Sequence, residues 1–464
     1  MSNTGNQVPD PLPLPPELRE ELPERSELQS EPESQSEPPL SEPLSKSPNP
    51  RAVCSGMIIR ASKRQRTEKR RRYRFIFMLP EAHIPDMGRA FFCLRLYHPA
   101  RRMSIWRAAR LEDGVPFRYN KTELTGGEAE TVHRARTTAV YAAAHFLVDF
   151  TCALLVYRFV PGTGAVPESI LIYNFCAFAL QMPMGVITDR FGNGRAFSAA
   201  GCLLVAASAF LSGSPTALCL AAGVGNALFH IGGGTDVLNM SNSRAGMLGV
   251  FVSPGAFGLF TGALLSGYAV LQPVCMAALA LTAAAILWLC PRVRAALPEE
   301  KEPPRRKALP LWLALLFAVV CIRSFSGFLF SFPWKNGIWS WVFIAGVVLG
   351  KTLGGILYDR FGGTGTALAS LGAGAALFLL SGWPAAGCAA VLMFNMTMPV
   401  TLRAAADLLR NRKGFSFGLL TFALFVGFIP VWMELPWQGS SAVYAGMCIL
   451  TAILLIPVLR RKEP

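Results

Sequence analysis

Apolar runs recur at near-regular intervals through residues 137 to 464, whereas residues 1 to 136 are polar, Pro-rich and charge-rich with no sustained period. The runs fall at 137–159, 168–188, 196–212, 216–235, 245–268 and 270–290, then at 309–332, 337–358, 365–382, 384–403, 415–434 and 441–459. Most approach the ~20 residues an α-helix needs to cross the hydrocarbon core of a bilayer. A basic, Pro-rich connector at 291–308, PRVRAALPEEKEPPRRKA, parts them six and six. The pattern predicts an all-α membrane protein of twelve transmembrane helices. Two six-helix bundles, 137–290 and 309–464, follow a disordered or weakly structured extension at 1–136.

Only 16% of the residues are charged, against about 25% in a soluble domain, which excludes a soluble multi-domain enzyme. The net charge of +15 would suggest nucleic acid if it were clustered on one face. Instead, alternate loops plus the C-terminus hold seventeen Lys and Arg, and the opposite set holds Arg158 and Lys335. Basic loops stay cytoplasmic, so the expectation is a multi-pass plasma (inner) membrane protein with both termini and the connector cytoplasmic, and no nucleic-acid partner. Residues 1 to 50, rich in Pro, Glu and Ser, bury too little to order. They show no signal-peptide pattern, and a gene start placed too far upstream would account for the prelude equally well. The basic run at 60–74 suits anionic lipid or nucleic acid. Nine of the eleven cysteines lie within or at the ends of apolar runs, as small apolar residues rather than disulfides or metal ligands. No GxxxxGK[ST] or HExxH pattern occurs, so neither ATP drive, an enzyme activity, a metal nor another cofactor is expected.

Ionisable residues inside the spans carry the chemistry, because each one costs at least ~2.5 kcal/mol at mid-bilayer. His145 and Asp149 are spaced i, i+4 on one helix face, with Asp149 about 18 Å along the first span. Arg323 and Lys351 each lie about 21 Å along theirs. His230 precedes the triplet Gly232–Gly234, which is expected to loosen that helix end. Histidine titrates near neutrality, so His145, Asp149 and His230 are candidate proton carriers, or else a static pair that locks packing. Arg323 is either a structural partner of Asp149 or an anchor for an anionic substrate, and Lys351 lines the pathway or snorkels toward the cytoplasm. Asp236 and Glu434, near span ends, are expected to be solvated or capping.

A repeat links the two halves. Gly185-Val-Ile-Thr-Asp189-Arg190-Phe-Gly192 follows the second span, with Arg195 beyond it, and Gly355-Ile-Leu-Tyr-Asp359-Arg360-Phe-Gly362 follows the eighth. Such internal repeats mark transporters built from two related bundles. The loops resemble the signature of the major facilitator superfamily, G-x-x-x-D-R-x-G-R-[KR], over residues 137 to 464. The resemblance implies alternating access, with Asp189, Arg190, Arg195, Asp359 and Arg360 in an inner gate. Gly365 stands where the first copy has Arg195, which implies a weaker C-terminal half of that gate. AHFLVDF, GNALFHIGGG and IRSFSGF are similar to the fosmidomycin-resistance type of efflux protein, although Ile231 replaces the usual Pro. Gly249, Pro254 and Gly258 resemble the fifth-helix antiporter motif, with Ser253 for its second Gly and Phe257 for the next. The implied function is proton-coupled efflux of a small molecule by a monomer in the lipid bilayer. Uptake of an anionic nutrient and a non-transporting membrane sensor or scaffold are the alternatives.

Overall fold

The computed structural model describes residues 126–293 and 308–461, with side chains from Glu130 onward. Residues 1–125, the basic run at 60–74 and connector residues 294–307 lie outside the described residues. Every regular element among the described residues is helical. A helix suits an apolar run at bilayer depth because it satisfies its backbone groups within the segment.

The first half contains α1 (Gly126–Phe159), α2 (Val166–Phe191), α3 (Gly194–Leu211), α4 (Pro215–Met240), α5 (Gly246–Leu264) and α6 (Leu271–Leu289). The second begins with α7 (Leu309–Leu329) and a 43-residue stretch, Gly337–Leu379, and ends with α10 (Pro384–Leu408), α11 (Lys413–Trp432) and α12 (Ser441–Arg460). Eleven of these helices are long and apolar enough to cross a membrane. The longest carries one non-helical residue, Gly362, at φ 74° and ψ 164°. That conformation is essentially restricted to glycine. The break divides the stretch into α8 (337–361) and α9 (363–379), which restores the expected twelve spans in two pseudo-symmetric halves.

Three local features depart from the sequence pattern. α1 already begins at Gly126, within the stretch expected to be weakly structured. Hydropathy marks the membrane-crossing part of a helix, not its full length, and a Glu130–Arg134 pair one turn apart supports the polar end. Gly232–Gly234 does not loosen α4, which stays helical to Met240. A Cβ at Gly232 would strike the Gly194 carbonyl and Ser198, so glycine there serves the close approach of α3. Asp236 is neither solvated nor a cap: it is 1% exposed and accepts a 2.7 Å bond from the Tyr141 hydroxyl. A partner 95 residues away leaves no local signal.

Each half is tied to the other by two helix pairs related by the pseudo-symmetry, α2 with α11 and α5 with α8. Within the halves α1 packs along α5 and α3 along α4, while α10 and α12 pack on the α8–α9 stretch and α7 on α11. The nine cysteines among the described residues are unpaired, and eight of them are buried.

Candidate functional site

At the end of the bundle that holds Gly192 and Gly362, both repeat loops act through their carboxylates. Asp189 accepts from the backbone N–H of Gly414 at 2.7 Å and of Phe415 at 2.8 Å, the start of α11. Asp359 is engaged by Ala245 N–H and, at 3.0 Å, by Gly246 N–H, the start of α5. The first N–H groups of a helix have no partner within it and carry partial positive charge. Each aspartate therefore caps a helix of the other half. Gly185 and Gly355 permit this, since a Cβ on either would strike the facing backbone at Gly414 or Ala245. Gly192 ends α2 in the left-handed conformation at φ 58°.

The expected Asp–Arg gate takes a different form. Arg190 and Arg360 are exposed, and neither forms an ion pair among the described residues. Arg195 donates to the carbonyls of Leu287 at 3.3 Å and Cys290 at 3.2 Å, closing the end of α6. Both carboxylates are instead engaged by the backbone N–H groups of the facing helix N-termini. Further bonds between the halves at this end run from Arg403 to Ser241 at 3.3 Å and from Lys413 to the Leu238 carbonyl at 3.4 Å.

At mid-span two i, i+4 pairs face each other. α1 supplies His145 and Asp149, and α4 supplies Asn226 and His230. The two histidines meet Nε2 to Nε2 at 2.8 Å. Asp149 approaches them at 3.2 and 3.7 Å and accepts from Asn226 Nδ2 at 2.9 Å. His145 Nδ1 donates to the Phe251 carbonyl at 2.7 Å, and His230 Nδ1 to the Asn226 carbonyl at 2.9 Å. Phe229 and Phe251 wall the His145 ring.

This geometry fixes the proton inventory. Carbonyls only accept, so both Nδ1 atoms carry hydrogen, and in two neutral rings both Nε2 atoms would be bare lone pairs. Lone pairs do not meet at 2.8 Å without a proton between them. A hydrogen bond between the two Nε2 atoms therefore requires one proton beyond two neutral imidazoles, a charge that the adjacent Asp149 carboxylate can balance.

His145, Asp149 and His230 also place three donor atoms within 4.8 Å of one another. Nitrogens bound at 2.0–2.1 Å to a tetrahedral zinc lie roughly 3.3 Å apart. The two histidine nitrogens stand 2.8 Å apart, so a metal held between them would part them by roughly 0.5 Å.

The fifth-helix motif builds one wall of the cluster. α5 consists of two segments, Gly246–Val252 and Pro254–Leu264, interrupted at Ser253. Pro254 brings no N–H to the ladder, and the last carbonyls of a helix segment lack partners within it. Three consecutive residues at this break bond outward. The Phe251 carbonyl accepts from His145, the Val252 carbonyl from Lys351 Nζ at 3.3 Å, and Ser253 Oγ meets Thr352 Oγ1 at 2.7 Å. Gly255 lies directly over the cluster, where a Cβ would strike His145 Nε2 and Asp149 Oδ2. Gly249 and Gly258 bring α5 close to α8 and α1, against the Lys351 and Phe146 carbonyls.

Arg323 is 9% exposed and donates to Thr401 Oγ1 of α10 at 3.1 Å, so it is not the ion-pair partner of Asp149. Lys351 Nζ is turned to the Val252 carbonyl at the α5 break and so does not snorkel. Asn226, Thr401 and the Ser253–Thr352 pair were not singled out from sequence. The signal for Asn226 is an amide inside a span one turn before His230.

Twelve helices in two pseudo-symmetric halves, with an ionisable cluster between α1 and α4 at mid-span, define the major facilitator fold. No family profile and no curated protein matches the chain. Among solved structures it resembles a variant of the E. coli fucose:proton symporter FucP, at TM-score 0.52 and 12% identity, over 71% of this chain and 100% of that one. A second FucP structure, a major facilitator superfamily transporter in the outward conformation, gives TM-score 0.55 and 14% identity over 72% and 100%. The structures it resembles are transporters. At these identities the similarity is one of fold.

Proposed function

We propose that the protein is a secondary active transporter that moves a small molecule across the plasma membrane by alternating access, coupled to protons. The observation that carries this reading is the 2.8 Å contact between His145 Nε2 and His230 Nε2 beside Asp149. Rocking of the halves changes which side reaches the cluster, and the proton leaves or returns with that change. His145, His230 and Asp149 hold the proton, Asn226 orients Asp149, and Asp189 and Asp359 hold one end closed through the α11 and α5 N-termini. Both termini are assigned to the cytoplasm from the basic loops, the working unit to a monomer, and no cofactor is needed.

Efflux by antiport rests on the resemblance of Gly249, Pro254 and Gly258 to the antiporter motif. A second reading, uptake with protons, is favoured by Arg323 and Lys351, whose positive charges suit an anionic nutrient. The test is reconstitution in vesicles with an imposed pH gradient and a panel of small molecules. A substrate that drives proton movement in wild type and not in Asp149→Asn supports coupling, and the sign of that movement separates efflux from uptake. Substrate flux with no proton movement overturns coupling. Silence across the panel, with loss of a cellular phenotype on deleting residues 1 to 130, favours a scaffold.

A further inference from the structure

Two cations stand within the spans without an anion. Among the described residues the ion pairs are Arg134–Glu130, His145–Asp149, His230–Asp149 and Arg403–Asp407, and none involves Arg323 or Lys351. Arg323 has a neutral hydroxyl, Thr401, for a partner, and Lys351 a neutral carbonyl, that of Val252. An Arg has five N–H donors and a Lys three, so most of their capacity meets no acceptor among the described residues. Each is a charge retained at bilayer depth against its desolvation cost, which marks it as functional.

Asp149, the carboxylate of the mid-span cluster, is already engaged. Asp149 is occupied by His145, His230 and Asn226, and with the shared proton that cluster is electrically neutral. Arg323 and Lys351 therefore leave the five-residue group two positive charges in excess. The two side chains come from different helices of the second half, α7 and α8, and Lys351 is held from the first half by α5. The complement to this arrangement is an oxyanion, because guanidinium presents a planar fork that matches two oxygens and ammonium adds a point charge.

Building on the transport reading above, we propose that Arg323 and Lys351 bind the anionic group of the substrate, a carboxylate or a phosphoryl group. Positive charge on the neighbouring histidine pair strengthens the hold on that anion, and the anion in turn strengthens the hold on the proton. Thr401 fixes the Arg323 fork, and the α5 break keeps Lys351 beside the proton cluster.

The test uses the purified full chain in detergent and follows its thermal midpoint with inorganic phosphate, succinate or the neutral succinamide at matched ionic strength. Phosphate and succinate distinguish a phosphoryl from a carboxylate group. At least one anion should raise the midpoint and succinamide should not. Arg323→Gln and Lys351→Gln should each weaken the apparent Kd about tenfold or more, the loss of a charged hydrogen bond, while Lys351→Arg retains most of it. Each variant's midpoint without additive reports folding, and Thr401→Val, which only frees the fork, replaces Arg323→Gln if that variant does not fold. The proposal is overturned if neither anion shifts the wild type, if succinamide shifts it equally, or if both folded Gln variants bind like wild type. Proton movement in wild-type vesicles is read separately, so anion binding without it leaves this site standing and removes only the coupling.

Discussion

Asn226 is the residue on which the mid-span cluster depends without itself titrating. Its amide fixes Asp149 at 2.9 Å while its carbonyl fixes the His230 tautomer. Asn226→Leu removes the first of these bonds and keeps the second. Proton-coupled flux should fall about tenfold, in line with one bond to a charged group, with the thermal midpoint little changed; vesicle proton flux checks it. Gly255→Ala is a harsher probe, because its Cβ would press on both His145 and Asp149. It should abolish coupling, whereas Gly267→Ala, with nothing near its Cβ, should have no effect. The i, i+4 spacing of His145 and Asp149 is legible in the sequence because one helix turn fixes it. The approach of His230 is not, since it is set by how α1 and α4 cross.

At the scale of elements, the two aspartate caps hold the halves together at the Gly192 and Gly362 end. Loss of a helix cap to Ala costs about 0.5–2 kcal/mol, so Asp189→Ala combined with Asp359→Ala should shift the population toward opening there by roughly 5-fold to several hundredfold. Spin-label distances between α4 and α10 would read that shift. The opposite end offers a pH test at Lys335, in the loop between α7 and α8. Its ammonium lies 4.1 Å from the Phe343 ring centre and donates to the Phe330 carbonyl at 3.4 Å. Burial pushes its pKa down to about 8, while in an unfolded chain it stays near about 10.4. Between these values the unfolded chain binds more protons, so stability rises with pH from about 8 to about 10. Thermal midpoints should show that slope, and Lys335→Met should flatten it. The repeat motifs identify these loops in the sequence, but the capped partners lie more than a hundred residues away, beyond any local pattern.

For the whole molecule, run length and the six-and-six division are enough to name the architecture, because a bilayer sets span length and forbids unpaired backbone. Position 362 alone blurs the count, where a single glycine does the work of a loop. The pairing of α2 with α11 and of α5 with α8 follows from small residues at Gly185, Gly414, Gly355 and Gly249, whose meaning appears only once the partner helix is known. The proposed coupling carries a thermodynamic ceiling. With one proton exchanged per substrate through the histidine pair, an electroneutral cycle sustains at most about a tenfold substrate gradient per pH unit, about 1.36 kcal/mol. If charge crosses too, each 100 mV adds about 2.3 kcal/mol per elementary charge moved. A steady-state accumulation ratio measured against imposed pH difference should accordingly rise with a logarithmic slope of about one, the capacity of a single hydrogen held between two rings.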